Sequence, residues 1–549
     1  MQQSVPSPSE VQATLAATLF DEWIQRGLRD VVICPGSRST PLALAAAERA
    51  ELNLHVRLDE RSAGFFAIGR ALVSERPVAV VVTSGTAAAE LHACVAEADQ
   101  AFVPLLVLTA DRPPELHGVG APQTIDQHHL FASMVRRFEE PGVARLESRD
   151  QWRALATRLW CDACATSQPG PVHLNVAFVE PLVATALALP ERVEVEAVAA
   201  PVRTETEVDL SGLRVLCVVG RGADSSVVER CGALGWVVVG DATTEGALAY
   251  FDPLLRSDAF ADRARPEVVV RLGGLVASKV LGERLRQWGA KTIAFDGAGF
   301  VADPDRLISE TLPGLPSGAQ RAREDYVELW RDASDAVGRW LEDTIGDESP
   351  LCEPSVARTV VQMSAERAVP LVVGSSMPVR DVEWWAPSRH SKTFSNRGVN
   401  GIDGVVSTVL GVAAGAAALG LVGDLTMLHD VSALVDGLGE TSGHCVLVVV
   451  DNRGGGIFSF LSQATLVAPE RFERLFGTPR PHDLARVAQA FGHHAELART
   501  PGELRAAIDR GLIREGLSVV VAVVADRDNN VRLHQEWNDT VGALVEVAS

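Results

Sequence analysis

Residues 419–458, LGLVGDLTMLHDVSALVDGLGETSGHCVLVVVDNRGGGIF, decide the fold. A short apolar run ends at Gly423-Asp424, and apolar residues then recur at Leu425, Leu428, Val431, Leu434 and Val435, which is helical spacing. Cys445 to Val450 is an unbroken apolar run, the pattern of a strand buried on both faces. Asp451-Asn452, Arg453 and three glycines close it. The stretch predicts one strand–helix–strand unit, whose strands lie parallel and adjacent with their carboxyl ends on one edge. Ligands of open α/β sheets bind at that edge. Asp424 and Asn452 would therefore meet there as two hard oxygen donors, beside Gly454 to Gly456, where backbone can approach a diphosphate. Mg²⁺ takes such a site, with one or two protein oxygens completed by phosphate and water.

Outward from this unit, the pattern repeats. Toward the amino terminus a helix over 11–29 precedes strands at Val31–Cys34, Leu54–Leu58, Val78–Val82 and Pro104–Thr109, with a last strand around residue 174. Alternation of this kind predicts a parallel sheet covered by helices on both faces. Residues 185–212, rich in Pro, Glu and Val, read as a linker. A second set has strands near 215–220, 236–239, 268–272 and 292–295, and a helix over 321–345 leads into a third. The third set has strands at 370–373, 393–394, 420–422, 445–450 and 519–524. The expectation is an α/β chain of three domains, 1–184, 213–345 and 346–549, each a mostly parallel sheet flanked by helices. Gly220-Arg221-Gly222 follows a strand but lacks the full GxGxxG of a dinucleotide loop, so a plain turn is the better reading.

Composition narrows the class. The chain has 549 residues, 47% of them hydrophobic, enough for several packed cores. A formal charge of −21 argues against nucleic acid and anionic membranes as partners, while leaving room for anionic small molecules held by local arginines. Eight scattered cysteines include one CxxC, Cys161 and Cys164, at the end of a helical stretch and with no second pair. That favours a reduced, cytoplasmic chain. The first ten residues, MQQSVPSPSE, show no signal-peptide pattern. Residues 405–423 lack charge but are rich in Gly and Ala and run into Asp424, so they predict a buried helix and strand, with no membrane insertion.

Further motifs occur in order: CPGSRSTPL (34–42), DERSAGF (59–65), TSGTA (83–87), TADRPPEL (109–116), GAPQTIDQ (120–127), SNRGVNGIDG (395–404) and NRGGGIF (452–458). Glu60 in DERSAGF reads as lying at the carboxyl end of a strand; taken alone, it belongs to a solvated charge cluster opening a helix. Asp424 and Asn452, separated by 27 residues, resemble the metal–diphosphate motif of thiamine-diphosphate (ThDP) enzymes. Together the motifs resemble the MenD family, 2-succinyl-5-enolpyruvyl-6-hydroxy-3-cyclohexene-1-carboxylate (SEPHCHC) synthase, over the first and third domains closely and the middle one weakly. The sequence departs from commoner ThDP forms in lacking a glycine after Asp424 and in having Asp451 where many have Asn. Pro122 stands where some members have Asn and carries no polar role.

The resemblance implies a three-domain ThDP fold with a pyrimidine-binding first domain and a diphosphate-binding third. It implies ThDP with Mg²⁺ or Mn²⁺ as cofactors, and a homo-oligomer, dimer or tetramer, with active sites at the subunit interface. The implied reaction decarboxylates 2-oxoglutarate and adds the succinyl carbanion to isochorismate in 1,4 fashion, within menaquinone biosynthesis. Glu60 would hydrogen-bond the aminopyrimidine. Ser84, Gly85, Thr86, Gly423, Asp424, Leu425, Asn452, Gly454, Gly455, Ile457 and Phe458 would contact the cofactor, with Ile402 wedging it into a bent form. Asp424, Asn452 and Gly454 would ligate the metal. Ser37, Arg38, Arg112 and Gln123 would face isochorismate. Ser376 and Arg380 would hold the succinyl carboxylate, with Arg397 nearby, Lys279 from the middle domain, and Ile457, Phe458 and Leu461 as apolar wall. Arg38, Arg112, Arg380 and Arg397 all read as lying in turns at or near strand ends, where a parallel-sheet site gathers cations for carboxylates. Two other readings remain: an acetolactate-synthase-like ThDP enzyme for monocarboxylic oxo acids, and an inactive ThDP-like scaffold.

Overall fold

The computed structural model describes residues 5–165, 168–192, 206–223, 225–295, 301–318, 320–439 and 441–547. Three sheets carry the chain. The first contains β1 (Asp30–Ile33), β2 (Asn53–Val56), β3 (Val78–Val82), β4 (Leu105–Asp111), β5 (Phe138–Glu139) and β6 (Pro171–Ala177), in the order β2-β1-β3-β4-β6-β5. The second contains β7 (Val215–Val219), β8 (Val237–Gly240), β9 (Val268–Leu272), β10 (Lys291–Phe295) and β11 (Ile308–Leu312), in the order β11-β10-β9-β7-β8. The third contains β12 (Leu371–Val373), β13 (Thr393–Phe394), β14 (Ala417–Gly423), β15 (His444–Asp451), β16 (His494–Ala498) and β17 (Gly516–Val523), in the order β13-β12-β14-β15-β17-β16. Every pairing between these strands is parallel.

The first and third sheets share one strand order, although their sequences show no repeat. In each, the chain winds outward to its second strand and then returns across the first to its third. The crevice at that reversal is where open parallel sheets take ligands. β14 and β15 pair in register from Ala417↔His444 to Gly423↔Val450, so Asp424 and the Asp451-Asn452 corner emerge on one edge, as the opening stretch predicts. Cys445–Val450 are each 4% exposed or less. Burying each large apolar side chain there contributes about 1.5–3 kcal/mol.

The segment between those strands differs from expectation. It forms two short helices, Asp424–His429 and Ala433–Asp436. The interruption falls at buried Asp430, whose carboxylate accepts from the Ser407 backbone N–H at 2.7 Å and the Ser407 hydroxyl at 2.9 Å. By packing, the chain divides into two units. One is Met1–Pro201 with Asn396–Ala416 and Asp430–Gly443; the other is Val202–Ser395 with Ala417–His429 and His444–Ser549. The buried helix of 405–423 is Val405–Ala413, followed by β14 as predicted. Of the linker 185–212, residues 193–205 lie outside the described residues. Gly220 to Gly222 form the turn after β7. Among the described residues no helix is long and apolar enough to cross a membrane.

The second unit has a tryptophan-rich core. Trp330, Trp385 and Trp537 cluster with Phe251, Leu254 and Val541, which ties the carboxyl-terminal helix Arg527–Val547 to the helices around the second sheet.

Candidate cofactor and substrate site

At the carboxyl edge of the first sheet, successive strand ends deliver successive site residues. After β1 come Ser37, exposed, and Arg38, half-buried. Arg38 donates to the Phe178 carbonyl at 3.0 Å and lies 3.3 Å from a Glu180 carboxylate oxygen. Its Nε is buried without a partner. After β3 come Ser84, Gly85 and Thr86, and after β4 comes Arg112, hydrogen-bonded to the Ser84 hydroxyl. Gln123 closes the group: its Nε2 donates to the Ser84 carbonyl at 3.1 Å, and the Ser84 hydroxyl donates to the Gln123 carbonyl at 3.0 Å. Burial, and then the neighbouring Arg38 guanidinium, push Arg112 below its ordinary value. Two neighbouring guanidinium groups, one of them disfavoured by the other's charge, form a site for an anion.

After β2 the chain reaches Glu60, which is the first residue of the helix Glu60–Ser74 and not the last of a strand. Asp59 caps that helix, accepting from the Ser62 N–H at 2.8 Å. Burial, and then the carboxylates of Asp59 and Glu90, raise Glu60 above the usual carboxyl range. A carboxyl group whose neutral form burial favours in this way can share a proton with a ring nitrogen.

Arg397 and Ile402, both half-buried, ride on the loop after β13, within the first unit. What fixes that loop is Glu97. Its carboxylate, 1% exposed, accepts from the Gly398 N–H at 2.7 Å and the Val399 N–H at 2.8 Å. No motif in the sequence singles out Glu97. The available signal was its place three residues after buried Cys94, on the packed face of the helix His92–Ala101. Each such charge-assisted bond contributes about 1.5–3 kcal/mol. Glu97→Ala is therefore expected to lower the melting temperature and to open the 395–404 loop to limited proteolysis. Unchanged proteolysis would show that the loop is held by other contacts.

In the second unit the third sheet presents the complementary set. Asp424, 5% exposed, follows β14. Burial pushes its carboxyl up to about 7, against the hydrogen bonds from the Leu425 and Gly454 backbone that favour its charged form. Asn452, 6% exposed, follows β15; its Nδ2 donates to Glu353 Oε1 at 2.8 Å, and its Oδ1 is buried without a partner. Gly454 has φ +134°, and a side chain there would meet the Gly477 carbonyl at 2.1 Å. Among the described residues no three His, Cys, Asp or Glu side chains converge as a metal cluster. The donor set instead suits a hard cation that takes part of its shell from phosphate and water: one desolvated carboxylate, one orphaned amide oxygen and an adjacent glycine backbone.

Arg380, Lys279, Ile457 and Leu461 line one cavity of about 610 Å³, together with Arg256, Trp384 and His534. Arg380 does not lie in a turn. It sits in the first turns of the helix Met377–Trp385 and donates to the carbonyl of Ser376, the residue before that helix, at 2.5 Å. Ser376 and Phe458 are not among the lining residues; the Phe458 ring packs against Phe476, centroids 5.6 Å apart. Lys279 is exposed at the first position of the helix Lys279–Trp288. A larger groove of about 1010 Å³ along the helix Glu324–Thr344 contains none of the predicted site residues.

Known proteins match this arrangement. The family model for the N-terminal TPP-binding domain of thiamine pyrophosphate enzymes matches residues 13–130, and that for the C-terminal TPP-binding domain matches residues 383–522. The fold resembles that of benzoylformate decarboxylase from Polynucleobacter necessarius, with a TM-score of 0.68 and 17% identity over 93% of this chain and 98% of that one. Fold and paired strand-end sites thus define a thiamine-diphosphate-dependent enzyme. Relatives named 2-succinyl-5-enolpyruvyl-6-hydroxy-3-cyclohexene-1-carboxylate synthase are 37% identical in Myxococcus xanthus, over 96% of this chain and 97% of the relative. The Thermobifida fusca relative of that name is 38% identical over 97% and 99%. The chain belongs to the 2-succinyl-5-enolpyruvyl-6-hydroxy-3-cyclohexene-1-carboxylate synthase family.

Proposed function

We infer that the chain catalyses SEPHCHC synthesis from 2-oxoglutarate and isochorismate, in the cytoplasm and as a step of menaquinone biosynthesis. The observation that carries the substrate assignment is that each unit of the chain holds a cationic pair of its own. Arg38 and Arg112 stand together in the first unit, and Arg380 and Lys279 line one cavity in the second. An acetolactate-type reaction between monocarboxylic oxo acids would have no use for both.

ThDP, when bound, supplies a nucleophilic carbon for the oxo group and a sink for the electron pair left when CO₂ departs. This chain's residues do the rest. Asp424, Asn452 and the Gly454 backbone carbonyl would hold Mg²⁺ or Mn²⁺, and through it the diphosphate. Glu60 would hold a proton at the aminopyrimidine N1′, and Ile402 would press the cofactor into its bent form. Arg380, braced on Ser376, would pair with the distal carboxylate of 2-oxoglutarate, with Lys279 and Arg397 adding positive charge. Ile457 and Leu461 would exclude water from the reacting carbon. Arg38 and Arg112, with Ser37 and Gln123, would orient the two carboxylates of isochorismate. Glu60 and Asp424 lie in different units of the chain, and family likeness supports completion of each site by a second subunit, so the working form is at least a homodimer.

Two variants test the division of labour. Arg380→Ala should cost about ten- to a hundredfold in kcat/KM for 2-oxoglutarate, the loss of one charge-assisted contact. It should largely spare 2-oxobutyrate, which lacks the distal carboxylate. Arg38→Ala should leave CO₂ release intact and abolish coupled product formation. Equal losses on both oxo acids in Arg380→Ala, or blocked decarboxylation in Arg38→Ala, would refute the assignment.

A further inference from the structure

Glu353 opens the helix Glu353–Arg367, with proline at the next position, and its side chain is almost fully buried. Its carboxyl oxygen Oε1 accepts from Asn452 Nδ2 at 2.8 Å. Among the described residues it forms no ion pair with lysine or arginine. An unpaired buried carboxylate costs stability, and an apolar residue of similar size would pack here at lower cost. The pair also constrains its surroundings: a side chain at position 456 would lie 2.5 Å from Asn452 Nδ2 and 3.6 Å from Glu353 Oε1, so glycine is required for the two to meet.

The consequence falls on Asn452. A carboxamide turned by half a rotation exchanges its oxygen and nitrogen at almost no steric cost, and only one of those ends can ligate a cation. Glu353 Oε1 accepts from Nδ2 at 2.8 Å, which holds the amide in the orientation in which Nδ2 is engaged and Oδ1 is left over. That Oδ1 is the buried atom without a partner. We propose that Glu353 is a positioning residue that locks the Asn452 amide with its oxygen presented to the divalent cation. The proposal rests on the reading of Asp424 and Asn452 as metal ligands.

The test uses the full-length chain with ThDP and no substrate, with Mn²⁺ as the probe and free Mn²⁺ followed by electron paramagnetic resonance. Glu353→Met removes the acceptor at constant length. It should weaken Mn²⁺ binding about 10–100-fold, the usual cost of losing an outer partner of a metal ligand. The melting temperature of the metal-free protein should stay level or rise. Glu353→Gln, whose side-chain carbonyl can accept the same bond, should restore most of the affinity. Parental Mn²⁺ affinity in Glu353→Met would overturn the proposal, as would equal weakening in both variants. So would a Glu353→Met chain that fails to fold, because a positioning role leaves the metal-free fold intact. Asp424→Ala separates the two levels. If it binds Mn²⁺ as the parent does, the metal reading itself fails; if it loses Mn²⁺ while Glu353→Met does not, only the positioning role fails.

Discussion

Glu60→Gln is expected to lose the exchange of the cofactor's C2 proton while keeping the fold and most of the ThDP affinity. Glu60 stands at the start of the helix Glu60–Ser74, with burial and the Asp59 and Glu90 carboxylates raising it above the usual range. Glutamine preserves the shape and can still hydrogen-bond a ring nitrogen, but it cannot pass a proton. A positioned acid or base contributes about 10²–10⁴-fold, so exchange followed by proton NMR in deuterated buffer should slow by that order, and overall turnover with it. The helix cap is made by Asp59, so the melting temperature should hardly move. Near-parental exchange in Glu60→Gln would remove Glu60 from the activation of the cofactor.

Asp424→Ala should abolish Mg²⁺-dependent binding of ThDP. It removes the one carboxylate of the proposed set, so the loss measured by calorimetry should exceed the roughly 10–100-fold typical of an outer-shell change. The metal-free protein should respond in the opposite sense. Its folded-state pKa, raised from 3.8 to about 7, means that the native chain binds the proton more tightly than the unfolded chain does. Stability from this group is therefore full below about pH 4 and lost as pH rises toward 7. Asp424→Ala should accordingly melt higher than the parent at pH 8 without metal, and the difference should shrink toward pH 4. Unchanged ThDP affinity, or a variant less stable than the parent at pH 8, would contradict the placement of Asp424.

Much of this site is legible from strand ends. In a parallel sheet the carboxyl edge is fixed by the direction of the chain, so Arg38, Glu60, Ser84 and Arg112 follow from finding the apolar runs that precede them. The same holds for Asp424 and Asn452 after β14 and β15. Strands at sheet margins are harder to see. β5 is two residues long, β11 is ISETL with every residue at least partly exposed, and β16 is HAELA with mixed exposure. None offers a continuous apolar run, because an edge strand is not buried on both faces. Arg380 was misplaced for another reason: Met377-Pro378 marks a helix start, but the preceding Gly-Ser-Ser reads as a turn that continues. Glu97, Glu353 and Asp430 are the least legible. Each is an acid whose partner is a backbone amide, hydroxyl or carboxamide far away in sequence, and no local pattern distinguishes such an acid from a solvated one.

The most direct test of the proposed function is CO₂ release by the intact protein with ThDP and Mg²⁺, comparing 2-oxoglutarate with pyruvate, each with and without isochorismate. Release from 2-oxoglutarate, strongly accelerated by isochorismate and accompanied by a product with the mass of both substrates less CO₂, is the predicted result. Equal or faster turnover of pyruvate, or release from 2-oxoglutarate that ignores isochorismate, would contradict it.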